Sequence, residues 1–169
     1  MLERLRRVNA AVSALLLHAG AAGLIAMTAI IGWQVFGRYV LNSSPSWAEQ
    51  AALVLMIWYV FLAAAAGVRE GFHIRILAME SLLPPRGQHA MRFAAHLVVG
   101  LSGIAIAIWG TELVMRTWSH VIPTLSLPRG VAYLPVPLSG VLMAVFTLEL
   151  MLDDATGEEA PDTEMNRWS

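Results

Sequence analysis

Four long stretches without a charged residue constrain this chain more than any other feature. They are residues 8–37, 51–68, 93–111 and 130–148. The hydrocarbon core of a bilayer is ~30 Å thick, and a helix of about 20 apolar residues crosses it. Only 14% of the residues are charged and 57% are hydrophobic, whereas soluble domains have about 25% charged residues. The pattern predicts an all-α integral membrane protein with four transmembrane helices.

The first two stretches are predicted to form an antiparallel hairpin bounded by charged residues. Ser46 and Glu49 have the S-x-x-E spacing of a capping box, which predicts that the second helix begins at Ser46. Arg38 and Arg69 lie at the ends of their helices, where a cation suits the helix dipole. Arg38 and Glu49 therefore fall on one side of the membrane, where they are predicted to form an ion pair; the alternative is that both anchor in lipid headgroups. Arg69 and His73 fall on the other side.

The distribution of arginine predicts the orientation of the chain. With the N-terminus inside, eight of the 11 basic residues lie in inner segments and three in outer segments. Cytoplasmic loops carry the excess of basic residues, so both termini are predicted to be cytoplasmic. The first stretch has 30 uncharged residues, which exceeds the ~7–15-residue core of a cleavable signal peptide. It is predicted to be retained as a transmembrane helix.

Two segments are predicted to lie outside the membrane-spanning helices. Residues 72–83 interleave apolar and polar side chains at helical spacing, which predicts a short amphipathic helix in the membrane plane between helices 2 and 3. An ordinary ordered loop is the alternative. Residues 153–169 are acidic and contain glycine and proline, which predicts a disordered cytoplasmic tail after a four-helix domain spanning 1–152.

The fourth stretch contains two prolines, so its helix must include residues before them in order to span. Pro135 and Pro137 free the carbonyls of Val131 and Tyr133, four residues earlier. Such carbonyls need partners from protein or water at membrane depth. Both this segment and the small residues 63–67 can pack within the chain or against another subunit. One prediction is that the proline segment and residues 63–67 both contact a large partner subunit. The alternative is that both pack only within the chain.

The inventory of reactive residues excludes several classes of chemistry. Cysteine and lysine are both absent, which excludes disulfides, thiolate metal sites and Schiff-base catalysis. None of the 12 carboxylates lies in the middle of an apolar stretch, and Glu149 comes nearest. An autonomous four-helix exporter driven by protons would need such a group on its pathway. No basic block or aromatic platform indicates a nucleic acid partner.

Two histidines raise the alternative of a membrane haem protein or enzyme. His18 lies well inside the first stretch, and His96 lies near the start of the third. Both stretches start from the same side, so the two rings differ in depth, whereas a shared haem needs both at one level. Each histidine is therefore predicted to make a structural hydrogen bond, and no cofactor, metal or enzymatic activity is expected.

Further polar and aromatic residues lie near the outer boundary. Gln34 can hydrogen-bond across helices, either within the chain or to a partner helix. Trp33, Trp47, Trp109 and Trp118 fall at this level. Tryptophans so placed are typical of an aromatic belt and need no ligand to explain them.

The order and spacing of several motifs resemble one family of membrane proteins. The first group is Gln34-Val35, Arg38-Tyr39, Asn42, Trp47-Ala48-Glu49, Gly67, Arg69, Gly71 and His73-Ile74. The second group is Leu125-Ser126-Leu127-Pro128, Tyr133, Pro137-Leu138 and Gly140. Together they resemble the small membrane subunit of tripartite ATP-independent periplasmic (TRAP) transporters over residues 8–150. Gln50 and Ser139 depart from the family pattern, which puts in doubt any ion pair assigned to position 50.

The resemblance implies a non-catalytic scaffold in a bacterial inner membrane. Such subunits pair with a large membrane subunit that carries substrate and sodium, and a periplasmic binding protein delivers the substrate, often an organic acid. The small subunit can also help to dock that binding protein. The residues expected at partner interfaces or in the framework are Gln34, Arg38, Tyr39, Trp47, Glu49, Gly67, Arg69, His73, Pro128, Tyr133 and Pro137.

Reporter fusions test the predicted orientation. Alkaline phosphatase fused after Ser43 should be active, because the first turn is predicted to be periplasmic, and the same enzyme fused to the C-terminus should be inactive. Green fluorescent protein at the same positions should give the opposite pattern. An active phosphatase at the C-terminus would contradict the topology.

Overall fold

The computed structural model describes residues 2–70 and 85–156. The helices are α1 (Leu2–Tyr39), α2 (Ala48–Arg69), α3 (Pro85–Thr117), α4 (Arg129–Tyr133) and α5 (Pro135–Thr156), and two short strands are β1 (Val121–Ile122) and β2 (Leu127–Pro128). Four spans within them are long and apolar enough to cross a membrane: Arg4–Tyr39, Ala48–Arg69, Ala90–Thr117 and Arg129–Asp153. The predicted all-α, four-span fold is confirmed. The amphipathic helix predicted at 72–83 and His73 lie outside the described residues.

The four spans pack side by side as a row rather than as a closed bundle. α1 packs on α2, α2 on α5, and α5 on α3. α1 and α3 stand at the two ends of the row and do not pack substantially on each other. No more than 33% of the most apolar part of any span is buried inside the chain, so most of the apolar surface must be covered by lipid or by another subunit.

The helices make different contacts at their two ends along the helix axes. Residues 2–13 of α1, the end of α2 and the end of α5 meet at one end, which we call the terminal end. The turn between α1 and α2 and residues 118–134 lie at the opposite end, which we call the hairpin end. A small core of Leu16, Leu62, Ala66, Val68 and Phe146 joins α1, α2 and α5 toward the terminal end.

Glycines bring α3 and α5 into direct backbone contact. A Cβ on Gly103 would lie 2.9 Å from the Gly140 carbonyl oxygen, and a Cβ on Gly140 would lie 2.5 Å from the Ala107 nitrogen. A Cβ on Gly110 would lie 2.9 Å from the Pro137 nitrogen. Lipid gives no hydrophobic drive for two helices to associate, so close van der Waals packing of small residues has to hold this pair together.

The turn between α1 and α2 is tightly built. The Ser43 amide donates to the Gly37 carbonyl at 2.9 Å, and a Cβ on Gly37 would lie 2.7 Å from the Ser43 carbonyl oxygen. Asn42 has a φ of 49°, a left-handed conformation that asparagine tolerates better than most residues. Glycine at position 37 and asparagine at 42 thus let the chain reverse within a few residues.

The capping box predicted at Ser46 and Glu49 is wrong. α2 begins at Ala48, and Trp47 precedes it without any side-chain capping bond. Trp47 already has helical dihedral angles, and the Ala48 amide donates to the Pro45 carbonyl at 3.3 Å. A backbone turn through residues 45–48 therefore leads into the helix, and the Ser46 hydroxyl has no capping role.

The prolines of the fourth span begin a helix instead of breaking one. Pro135 is the first residue of α5 and Pro137 the third, positions at which a helix has no use for the missing amide hydrogen. The short helix α4 supplies the residues needed before them. The Val131 carbonyl accepts a hydrogen bond from Trp58 Nε1 of α2 at 3.2 Å, so at this carbonyl the partner comes from within the chain.

The last helix, α5, continues to Thr156. Asp153 on it is buried and accepts hydrogen bonds from Arg6 of α1. The remainder of the predicted tail, 157–169, lies outside the described residues.

A pair of alanine substitutions tests the close packing of α3 on α5. Gly103→Ala should lower the free energy of unfolding by about 1–3 kcal/mol, because its methyl group would overlap the α5 backbone. Gly32→Ala is the matched control, since a Cβ there has no neighbour within 4 Å and alanine is the better helix former. Thermal unfolding of the chain in detergent measures both. Equal melting temperatures for the two variants would contradict the packing.

Candidate functional site

A cluster of polar side chains joins three helices at the terminal end. Its members, which we call the terminal cluster, are Arg6, Asn9, Ser13, Arg69, Glu70, Glu149 and Asp153. They come from α1, the end of α2 and the end of α5. The cluster contains the most deeply buried charges of the described chain.

Glu149 is the centre of the terminal cluster. Its carboxylate is buried, with the residue 4% exposed. It accepts a 2.7 Å hydrogen bond from Asn9 Nδ2 and two 3.4 Å bonds from the Arg69 guanidinium, one from Nε and one from Nη2. A buried charge is tolerated only when it is paired and hydrogen-bonded. Asn9 and Arg69 meet that requirement from two other helices.

Two further contacts flank this centre. Arg6 donates from Nε and Nη2 to Asp153 Oδ1 at 3.0 and 2.6 Å, which ties α1 to α5. Ser13 donates to Glu70 Oε1 at 2.7 Å, which ties α1 to the end of α2. Each carboxylate of the cluster therefore has a donor from another helix, and each of the two buried carboxylates, Glu149 and Asp153, is paired with an arginine.

The sequence reasoning identified part of the terminal cluster. Arg69 was expected to serve the helix dipole, and Glu149 was noted only as the carboxylate nearest an apolar stretch. Asn9, Ser13 and Asp153 were missed. The sequence does contain a signal for the two residues on α1, because Arg6, Asn9 and Ser13 repeat at helical spacing on one face of that helix.

A cleft opens between α1 and α2 toward the hairpin end. We call it the hairpin cleft; its lining residues are Met27, Ile31, Gln34, Arg38, Glu49, Ala52, Leu53 and Met56, and its volume is about 350 Å³. Three of the polar residues expected from the sequence, Gln34, Arg38 and Glu49, thus share one site. Arg38 and Glu49 form no ion pair in the described part of the chain, so the predicted pair is absent.

The remaining predicted residues of the hairpin end do not line this cleft. Tyr39 and Trp47 are exposed at the turn. Pro128 and Tyr133 are half-buried, and Pro137 lies against Gly110 of α3.

Three of the five small residues near the end of α2 are buried inside the chain, whereas Ala63 is half-buried and Ala64 is exposed. Ala65 and Ala66 have no exposed surface, and Gly67 is also buried. Ala66 belongs to the core with Leu16 and Phe146. For these positions the internal-packing alternative applies.

The two histidines considered for haem are not brought together. His18 is exposed on α1, with Nδ1 2.6 Å from the Ala14 carbonyl oxygen. His96 is on α3, at the other end of the helix row. Among the described residues, no group of three or more His, Cys, Asp or Glu side chains could hold a metal ion.

The fold and these sites define a multi-pass membrane protein whose buried charges neutralise one another. Comparison with known proteins gives the family: residues 27–157 match the model for tripartite ATP-independent periplasmic transporters, DctQ component. The chain belongs to this family of small permease subunits, as the sequence motifs predicted.

The chain is also similar in sequence to TRAP transporter permease proteins from several bacteria. The sialic acid TRAP transporter small permease protein SiaQ of Vibrio cholerae is 24% identical over 126 residues, covering 75% of this chain and 73% of that protein. The C4-dicarboxylate TRAP transporter small permease protein DctQ of Rhodobacter capsulatus is 29% identical over 118 residues, covering 68% and 52%. The isethionate TRAP transporter permease protein DctMQ of Oleidesulfovibrio alaskensis is 29% identical over 137 residues, covering 76% of this chain but 21% of that longer protein.

Substitutions at Arg69 test the role of the terminal cluster. Arg69→Met should destabilise the chain by about 3 kcal/mol, because it leaves Glu149 buried without its cation. Arg69→Met combined with Glu149→Leu should recover most of this loss. Arg116→Met is the control, since its pair with Glu112 is exposed and contributes only ~0.3–0.5 kcal/mol. Thermal unfolding in detergent is the measurement, and a loss at Arg69 no larger than that at Arg116 would refute the role.

Proposed function

We propose that this chain is the scaffold subunit of a TRAP transporter that takes up organic acids with sodium across the bacterial inner membrane. It holds the large transport subunit in place and carries neither substrate nor ion itself. One observation carries the proposal: the helices form an open row with apolar faces, and the buried charges neutralise one another at one end.

The open row leaves a large apolar surface along its length. The exposed side chains on its two end helices include Leu15, Ile25 and Val35 of α1 and Leu101, Ile104 and Ile108 of α3. A closed bundle would bury part of these faces, whereas a row can lie along a larger membrane protein. Permanent subunit interfaces are typically large and apolar. The surface therefore suits an obligate membrane partner.

The fused relative supports a permanent partner. In the Oleidesulfovibrio alaskensis protein, the matching region is part of a much longer permease chain. A covalent link between two parts is compatible with function only if they remain close. We infer that this chain stays bound to its large subunit throughout the transport cycle.

The range of substrates among the relatives supports a passive role. The relatives are named for sialic acid, C4-dicarboxylates and isethionate, although they resemble the same chain. In the described residues, the buried charges lie at the terminal end and are paired with one another. A substrate anion or sodium ion crossing the bilayer needs polar groups along its path, and these groups must then lie on the large subunit.

In the proposed orientation, the hairpin end can interact with a protein in the periplasm. With both termini cytoplasmic, this end faces the periplasm. There β1 and β2 form an antiparallel ribbon, and the Arg129 amide donates to the His120 carbonyl at 2.7 Å. This ordered surface can help to dock a periplasmic binding protein.

Single cysteines test the partner surface, because the natural chain has none. Cysteines at Ile25, Leu101 and Ile108 should include positions that cross-link to the large subunit in membranes, because these side chains are exposed on the apolar faces. Cysteine at the buried Ala66 is the negative control. Uptake into proteoliposomes should require both membrane subunits and the binding protein. Transport by the chain alone, or its purification without any large subunit from co-expressing cells, would refute the scaffold.

A further inference from the structure

The hairpin cleft combines three unpaired polar groups with an apolar trough. Within the described residues, Gln34, Arg38 and Glu49 make no side-chain hydrogen bond or ion pair, although all three line the same cleft. The other walls are apolar, with Met27 and Ile31 on α1 and Leu53 and Met56 on α2. A cation, an amide and a carboxylate thus lie at one end of a cleft whose other lining residues are apolar.

Aromatic residues place the mouth of the cleft at the level of the lipid headgroups. Trp33 and Tyr39 are exposed on α1, and Trp47 is exposed just before α2. Trp33 packs beside Phe36, with ring centroids 6.0 Å apart. Exposed tryptophan and tyrosine at the end of a transmembrane helix mark the membrane–water interface. Arg38 and Glu49 lie at this level.

The length of the trough matches one leaflet of a bilayer. Met27 and Arg38 are separated by a helical rise of about 16 Å at 1.5 Å per residue. Half of a ~30 Å hydrocarbon core is about 15 Å. An acyl chain that starts at the cleft mouth would therefore run along the apolar wall to about the middle of the membrane.

We propose that the hairpin cleft binds one phospholipid with an amine-bearing zwitterionic headgroup, of the phosphatidylethanolamine type. Arg38 binds the phosphate, Glu49 binds the ammonium group, and Gln34 donates to an ester carbonyl of the glycerol region. Met27, Ile31, Leu53 and Met56 line one acyl chain. An anionic headgroup such as that of phosphatidylglycerol offers Arg38 the same phosphate but has no ammonium group to pair with Glu49.

The opposite charges and the depth of the trough favour a lipid over a helix of the large subunit. A partner helix at this level would have to place an anionic and a cationic side chain at the same depth near the cleft mouth. A zwitterionic headgroup carries both charges a few bonds apart. The lipid proposal is separable from the uptake function, because lipid retention is measured on the purified complex whether or not that complex transports substrate.

Native mass spectrometry of the full-length chain tests the lipid site. The chain is purified together with its large subunit, placed in nanodiscs of equal parts phosphatidylethanolamine and phosphatidylglycerol, and released for analysis of retained lipid. Wild type should retain phosphatidylethanolamine in preference. Arg38→Gln should reduce that retention about tenfold, since bonds to charged groups are among the stronger ones. Glu49→Gln should remove the preference over phosphatidylglycerol.

Two further variants complete the test. Arg129→Gln is the control, because Arg129 is an exposed arginine at the same end but outside the cleft, and it should retain lipid as wild type does. Met56→Trp fills the trough without changing any charge, and it should also displace the lipid. A photo-cross-linking residue at Leu53 should yield a lipid adduct. Unchanged retention in Arg38→Gln and Met56→Trp, a preference for phosphatidylglycerol in wild type, or an adduct with the large subunit instead of lipid would overturn the proposal.

Discussion

The buried carboxylate of Glu149 imposes a constraint on the arrangement of the chain. Near the end of a membrane-spanning helix, an ionised group is stable only if neighbouring helices supply its donors. Arg69 of α2 and Asn9 of α1 supply them at 3.4 and 2.7 Å. For both to reach Glu149, the ends of three helices must converge. The Arg6–Asp153 pair then closes the same end between α1 and α5.

The remaining span, α3, is held by a different kind of interaction. Its glycines let the backbone of α5 approach within direct contact, at Gly103 and Gly110 among others. One side of the molecule therefore depends on charges and the other on close packing of small residues. Because α5 takes part in both, it connects the charged contacts with the close glycine packing.

How much of this could be predicted depends on the solvent around each element. The spans, the hairpin and the need to satisfy the Val131 carbonyl follow from the bilayer, which tolerates neither charges nor free carbonyls. The order of the helices does not follow, because in lipid the outward face of a helix is as apolar as the packed face, so no amphipathic pattern marks the contacts. The Arg38–Glu49 pair failed for a related reason. Both side chains are exposed at the interface, where pairing yields little over solvation.

The contrast between the terminal end and the hairpin end indicates where the chain meets other molecules. At the terminal end, carboxylates such as Glu149 and Asp153 have donors within the chain, so that end is complete in itself. At the hairpin end, Gln34, Arg38 and Glu49 share a cleft without bonding to one another. Polar groups at a membrane interface that the chain does not satisfy are free to interact with headgroups, water or another protein. The chain thus satisfies the buried carboxylates of its terminal end internally, whereas the polar groups of the hairpin cleft are left to bind other molecules.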